Sequence, residues 1–202
     1  DIRLVGGKNA SLGELTRNMA KLDVKVPAGF AITVDGFDAC MKTSTIGDRL
    51  KNILDSIDYQ NTTSIQEASE KAKSLILEMS LPTDLIDEIV LAYSSIIMKY
   101  GPETHVAVRS SATAEDLADA SFAGQYESYL NVHGKEELLS AVKKCYASLY
   151  NARAMQYRID RGFALEFAQL SVGVQVMIRA DLACSGVCFT VDPDTGFRNV
   201  VV

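Results

Sequence analysis

Apolar residues fall along this chain in rhythms that change from region to region. After a short apolar start, Gly6-Gly7-Lys8-Asn9 breaks the run, and Leu12, Leu15, Met19 and Leu22 then recur at helical spacing. The pattern predicts a glycine turn leading into a helix. Val24 to Thr33 reads as extended chain with a turn at Pro27-Ala28-Gly29, and Asp35 is placed to cap a short helix. From about 45 to 100 three helical stripes follow: Ile46, Leu50, Ile53 and Ile57; then Ile65, Ala68, Ala72, Leu75, Ile76 and Met79; then Leu85 to Tyr100. Gly101-Pro102 stops the last of them. These stripes belong to a core and carry no chemistry.

Beyond Pro102 the period shortens. His105 to Arg109 alternates as a strand that Arg109 ends, and Tyr129 to Val132 forms a second strand closed by a His133-Gly134 turn. Glu136 to Arg161 is helical, with Tyr146, Tyr150 and Tyr157 on a packed face and Arg153, Arg158 and Arg161 on a solvated one. Val172, Val174, Val176 and Ile178 alternate with Gly173, Gln175 and Met177 in a half-polar strand. Gly186 to Val191 reads as a further strand, Asp192-Pro193-Asp194-Thr195-Gly196 as a turn organised by its acids, and Asn199 to Val202 as the return strand. Because that apolar run stops at Val202, the sheet is expected to continue in further chain. No internal repeat, low-complexity tract or linker interrupts the sequence.

Composition narrows the class. Of 202 residues, 26 are acidic and 20 basic, for a net charge of −6, and 48% are hydrophobic. That balance describes a folded globule rather than a disordered chain, and a pI near 5.0 argues against a nucleic-acid-binding surface. No apolar stretch approaches the ~18 residues of a membrane span, so no membrane partner is expected. The chain starts at Asp1 without a visible signal peptide. Cys40, Cys145, Cys184 and Cys188 are too sparse for a disulfide framework. In a strand, Cys184 and Cys188 would stand roughly 13 Å apart, beyond disulfide reach. Neither His105 nor His133 has metal-ligand spacing to them, so buried free thiols in a reducing compartment are expected.

Several segments can carry chemistry. Gly6-Gly7-Lys8 ahead of a helix offers backbone N–H groups and an ammonium to an anion, although the spacing is neither that of a P-loop nor of a dinucleotide fingerprint. From the local pattern alone, a glycine turn before a solvated lysine is the favoured reading. Arg109, placed at a strand end, can hold phosphate oxygens bidentately or pair with Glu115 or Asp116. Ala120-Ser121-Phe122-Ala123-Gly124-Gln125 can form a flap over a phosphate chain or an inert loop. Gln175 needs partners for its amide, which an adenine or ribose edge or a neighbouring strand's backbone would supply. No histidine has a Ser or Cys partner, so a nucleophilic triad is not argued.

Taken together, longer strings add what spacing cannot. Val106 to Asp116, continuing through Ala120 to Gln125, closely resembles the nucleotide-binding domain of the phosphoenolpyruvate synthases (pyruvate,water dikinases), in the PEP/pyruvate-binding dikinase superfamily. Leu4 to Glu14, Val26 to Phe30, Ser185 to Thr190 and Asp192 to Gly196 match in the same order. The resemblance implies an α+β, ATP-grasp-like fold, of which residues 1–202 would form the N-terminal portion with a helical subdomain at about 45–100. It implies ATP as ligand, with Lys8 and Arg109 as triphosphate contacts, Gly124 and Ser128 as flap contacts, and Gln175 on the adenosine side. It further implies Mg²⁺ held by acids outside this chain, and a cytoplasmic enzyme. In such enzymes ATP phosphorylates a histidine on a separate domain, which then delivers the phosphoryl group to pyruvate. His105 and His133 lack the setting of that phosphohistidine, and the closing lobe, phosphohistidine domain and pyruvate barrel are expected elsewhere. A rifampicin-type antibiotic phosphotransferase shares the same ATP domain, and a catalytically inactive fragment is the reading of a different class.

Overall fold

The computed structural model describes residues 1–42, 45–112, 116–117, 120–121, 127–165 and 169–198. Gly124, the Phe122 to Gln125 part of the expected flap, Glu115 and the return strand Asn199 to Val202 lie outside them.

The chain opens with helix α1 (Ile2–Met19), kinked where Gly6 adopts φ 70° and ψ 169°. That conformation is essentially closed to residues with a Cβ. So the expected glycine turn lies inside α1 as a break between one short turn and the longer helix. The apolar stripe of this helix is not a core stripe: Leu15 and Leu22 are exposed, and the buried residues of α1 are Gly6 and Gly7.

Strand β1 (Gly29–Ile32) leads directly into α2 (Val34–Lys42). Asp35 sits in the first turn of α2 rather than at its cap, because the helix already starts at Val34, and Gly36 N donates to Thr33 O at 3.0 Å. The helical region divides into α3 (Ile46–Asp55), α4 (Thr62–Glu78) and α5 (Thr83–Tyr100). Asn61 caps α4 by accepting from the N–H of Thr63 (3.0 Å) and Ser64 (3.4 Å). All six residues of the second predicted stripe, Ile65 through Met79, are buried.

Strand β2 (Val106–Ala112) runs three residues past Arg109, because Ser110, Ser111 and Ala112 pair with Val172, Ser171 and Leu170. Arg109 is therefore a mid-strand residue, not a strand end. A two-stranded ladder, β3 (Asp116–Leu117) with β4 (Ala120–Ser121), precedes β5 (Ser128–Val132). The helical stretch after His133 is two helices, α6 (Gly134–Ser148) and α7 (Ala152–Asp160). Arg158, expected in solvent, is buried at their joint, where Nη2 donates to Leu149 O and Nε to Ala154 O. A buried guanidinium there offsets part of its desolvation by donating to Leu149 O at the end of α6 and to Ala154 O one turn back in α7.

Strand β6 (Leu170–Val176) completes a four-stranded antiparallel sheet of order β1-β6-β2-β5 among the described residues. Register partners share a face, so the sheet sorts its residues by parity. Ile32, Val106, Val108, Leu170, Val172, Val174 and Val176 all belong to the apolar core with the helices. The opposite face carries Ala31, Arg109, Ser111, Ser171, Gly173 and Gln175, and α1 packs against it. The half-polar alternation expected of β6 thus holds, and α1 covers much of its polar side. The molecule is an α+β structure.

Past Val176 the expected strand Gly186 to Val191 is reduced to a single bridge residue, Phe189, among the described residues. Val187, Phe189 and Val191 are exposed, and they join neither sheet of the described residues. The turn that follows is built as expected, with Asp192 Oδ1 accepting from the N–H of Asp194 (2.9 Å) and Thr195 (3.0 Å). Those two N–H groups hold the Asp192 carboxyl below the usual range. Cys184 and Cys188 lie in this exposed segment, so only Cys40 and Cys145 are buried thiols. No helix among the described residues is long and apolar enough to cross a membrane.

Candidate functional site

The small residues on one face of the sheet determine where a cleft can open. Alanine, serine and glycine leave room above β1, β2 and β6, and α1 enters that room at its glycine break. A Cβ on Gly6 would lie 2.3 Å from the carbonyl oxygen of Ser111, so only glycine lets α1 approach β2 this closely. The next residues are Gly7, buried, and Lys8, exposed at the rim.

A cleft of about 470 Å³ opens between α1, β1, β2 and β6. Its apolar wall includes Leu12, Pro27, Ala28, Phe30 and Ala31, and its polar groups are Lys8, Asn9, Thr16, Arg109, Ser110 and Gln175. Lys8, Arg109 and Gln175, chosen from three distant stretches of sequence, therefore line one cavity. Arg109 is the one exposed position in an otherwise buried strand, which lets its guanidinium stay hydrated while its backbone is fixed on both sides. Gln175 Nε2 donates to Pro27 O at 3.2 Å, so the neighbouring strand's approach supplies one partner for its amide.

Ser128 is brought close but not in. It pairs with Arg109 across β2 and β5 and so shares the face that carries the cleft, yet it lines a shallow groove against α6 instead.

Three contributors were invisible to spacing. Asn9 reaches from α1 to two strands, with its N–H on Ser111 Oγ (3.2 Å) and its Nδ2 on Ser171 Oγ (3.0 Å). Ser110 anchors the residue before β5, donating from Oγ to Glu127 O at 3.2 Å. The carboxylate of Glu127 accepts from the Tyr129 hydroxyl and from Asn151 Nδ2 (3.3 Å). Burial and this carboxylate push the Tyr129 phenol up. Burial likewise pushes the Cys145 thiol up to about 12, with Glu127 adding to the rise and the Lys8 ammonium opposing it. Apart from the Tyr129–Glu127 pair, two residues apart, these contacts depend on tertiary approach, so no local signal in the sequence could have revealed them.

Chemically, two cations beside hydroxyls and amides suit an anionic chain of phosphates, and the apolar wall suits a flat ring. The described lining contains no carboxylate, and no group of three or more His, Cys, Asp or Glu side chains among the described residues could hold a metal ion. This donor set does not fit a hard divalent cation.

The sequence profile of the family described as pyruvate phosphate dikinase, AMP/ATP-binding domain matches residues 2–202. The chain is 45% identical over 201 residues to the phosphoenolpyruvate synthase of Deinococcus radiodurans, covering 100% of this chain and 25% of that protein. It is 45% identical over 205 residues to the phosphoenolpyruvate synthase of Aquifex aeolicus, covering 100% of this chain and 24% of that protein. With the phosphoenolpyruvate synthase of Escherichia coli it shares 43% identity over 201 residues, again the whole chain and 25% of the relative. The chain thus spans about a quarter of the length of the relatives it matches. By this match over nearly every residue, the chain belongs to the pyruvate phosphate dikinase AMP/ATP-binding domain family.

Proposed function

We propose that this chain is the ATP-binding front portion, ATP-grasp-like in fold, of a phosphoenolpyruvate synthase. In the longer protein ATP phosphorylates a histidine on another domain and that phosphoryl group passes to pyruvate, water taking up the other one, so that pyruvate, ATP and water give phosphoenolpyruvate, AMP and phosphate. The observation that carries this reading is the convergence of Lys8, Arg109 and Gln175 on one cleft with a mixed polar and apolar lining. Lys8 and Arg109 contact the triphosphate, and Gln175 faces the adenosine. Ser128, beside Arg109 on the same sheet face, and Gly124 contact the phosphates from the flap.

Phosphoryl transfer depends on positioning and on neutralising roughly four negative charges of ATP. A protein of net charge −6 must place cations locally to do so. Lys8 and Arg109 supply part of that charge. The rest would come from Mg²⁺ held by acids outside this chain, in the cytoplasm. The relatives matched are phosphoenolpyruvate synthases, which favours pyruvate over rifampicin as final acceptor.

The test is made in the full-length protein. Arg109→Ala is expected to lower ATP-dependent phosphoenolpyruvate formation by about a hundredfold, the scale of losing one charged donor in a preorganised site, with little change in unfolding midpoint. Gln175→Ala is expected to change the preference for ATP over GTP more than it changes the rate. Normal ATP kinetics in Arg109→Ala would overturn the phosphate assignment.

A further inference from the structure

Beside Lys8 stands a residue whose bonds reach into the sheet. Asn9 donates from its backbone to Ser111 on β2 and from its side chain to Ser171 on β6. Ser171 in turn donates to Ile32 O on β1 at 2.7 Å. Both serines are buried, at 1% and 0% exposure, so these bonds are not exchanged for water. Asn9 Oδ1 also occupies the space above Gly173, where a Cβ would come within 2.3 Å of it. The amide is thereby held flat against the sheet with its NH₂ toward Ser171.

We infer that Asn9 is a positioning residue for the nucleotide site, setting the Lys8 ammonium opposite Arg109 by locking the rotation and height of α1 on three strands. This rests on the proposed role of Lys8 as a phosphate contact and adds how that contact is made precise. A helix docked only by apolar contact can slide or roll, whereas directed hydrogen bonds to separate strands fix both motions. Successive helical residues are turned by about 100°, so fixing Asn9 inward fixes Lys8 at the cleft rim. The lysine stem is flexible and its ammonium is a point charge, so its placement depends on where the helix holds its Cα.

The experiment compares the full-length enzyme with Lys8→Ala, Asn9→Ala and the double variant, measuring kcat and KM for ATP alongside unfolding midpoints. Asn9→Ala is expected to raise KM for ATP about tenfold, with a smaller fall in kcat. The double variant is expected to be no worse than Lys8→Ala alone, because both substitutions remove the same contact. Losses that multiply, or a wild-type KM in a folded Asn9→Ala, would overturn the inference while leaving the role of Lys8 intact. Wild-type ATP kinetics in Lys8→Ala would overturn both. Should Asn9→Ala not fold, Ser171→Ala removes the same side-chain bond from the strand side, keeps the Ser111 contact, and is held to the same criteria.

Discussion

At single positions the decisive quantity is how closely two backbones approach. Gly6 combines a positive φ with a carbonyl 2.3 Å from where a Cβ would stand, and neither cost can be relieved by a side-chain rotation. Gly6→Ala is therefore expected to destabilise the fold by about 2–4 kcal/mol, measured by chemical denaturation, and a loss below about 0.5 kcal/mol would count against this docking of α1. Lys8 and Arg109, which local pattern left open between anion contacts and solvated or paired cations and which the family resemblance singled out, line one cleft. Arg158 was misread. Its helical spacing from Tyr150 and Arg161 says nothing of the helix break that turns it inward onto Leu149 O. Asn9 looked like a turn residue, since its partners are contributed by β2 and β6 from the far end of the chain.

For elements, legibility followed the source of each one's stability. Helices α3 to α5 were readable because their stripes and stop signals are local, and the burial of the α4 stripe matches its spacing residue by residue. The cap at Asn61 is part of that local code: Asn61→Ala should cost about 1 kcal/mol, seen as a lower unfolding midpoint with an unchanged ATP KM. An unchanged midpoint would mean that packing of α4 alone sets its start. Strand boundaries were harder, since pairing decides them. The extension of β2 through Ala112 depends on Leu170 to Val172. Gly186 to Val191 has the composition of a strand, but among the described residues only Phe189 takes a bridge there and its apolar side chains stay exposed.

Across the whole molecule, the buried groups give stability a direction with pH. Burial raises Cys40 from 9.0 to about 11, and Cys145 from 9.0 to about 12. A thiol that keeps its proton longer when folded favours the folded state fully below pH 9, and that contribution falls as the unfolded chain ionises first. Urea midpoints are expected to decline between pH 9 and about 11, and Cys145→Ala is expected to shallow the decline; a midpoint that rises over this range would contradict the burial described here. The succession of periods showed helices giving way to strands, and the family resemblance supplied the α+β class, but the cleft was not legible, because it exists only where α1 meets the small-residue side of the sheet. That same side has an evolutionary consequence. Alternate letters of β2 and β6 answer to separate demands, most even ones to cohesion with the helices, while among the odd ones Ser111, Ser171 and Gly173 answer to the docking of α1 and Arg109 and Gln175 to whatever occupies the cleft. A lineage can thus retune recognition at positions 109 and 175 while the interior and the seat of α1 that it inherits stay intact.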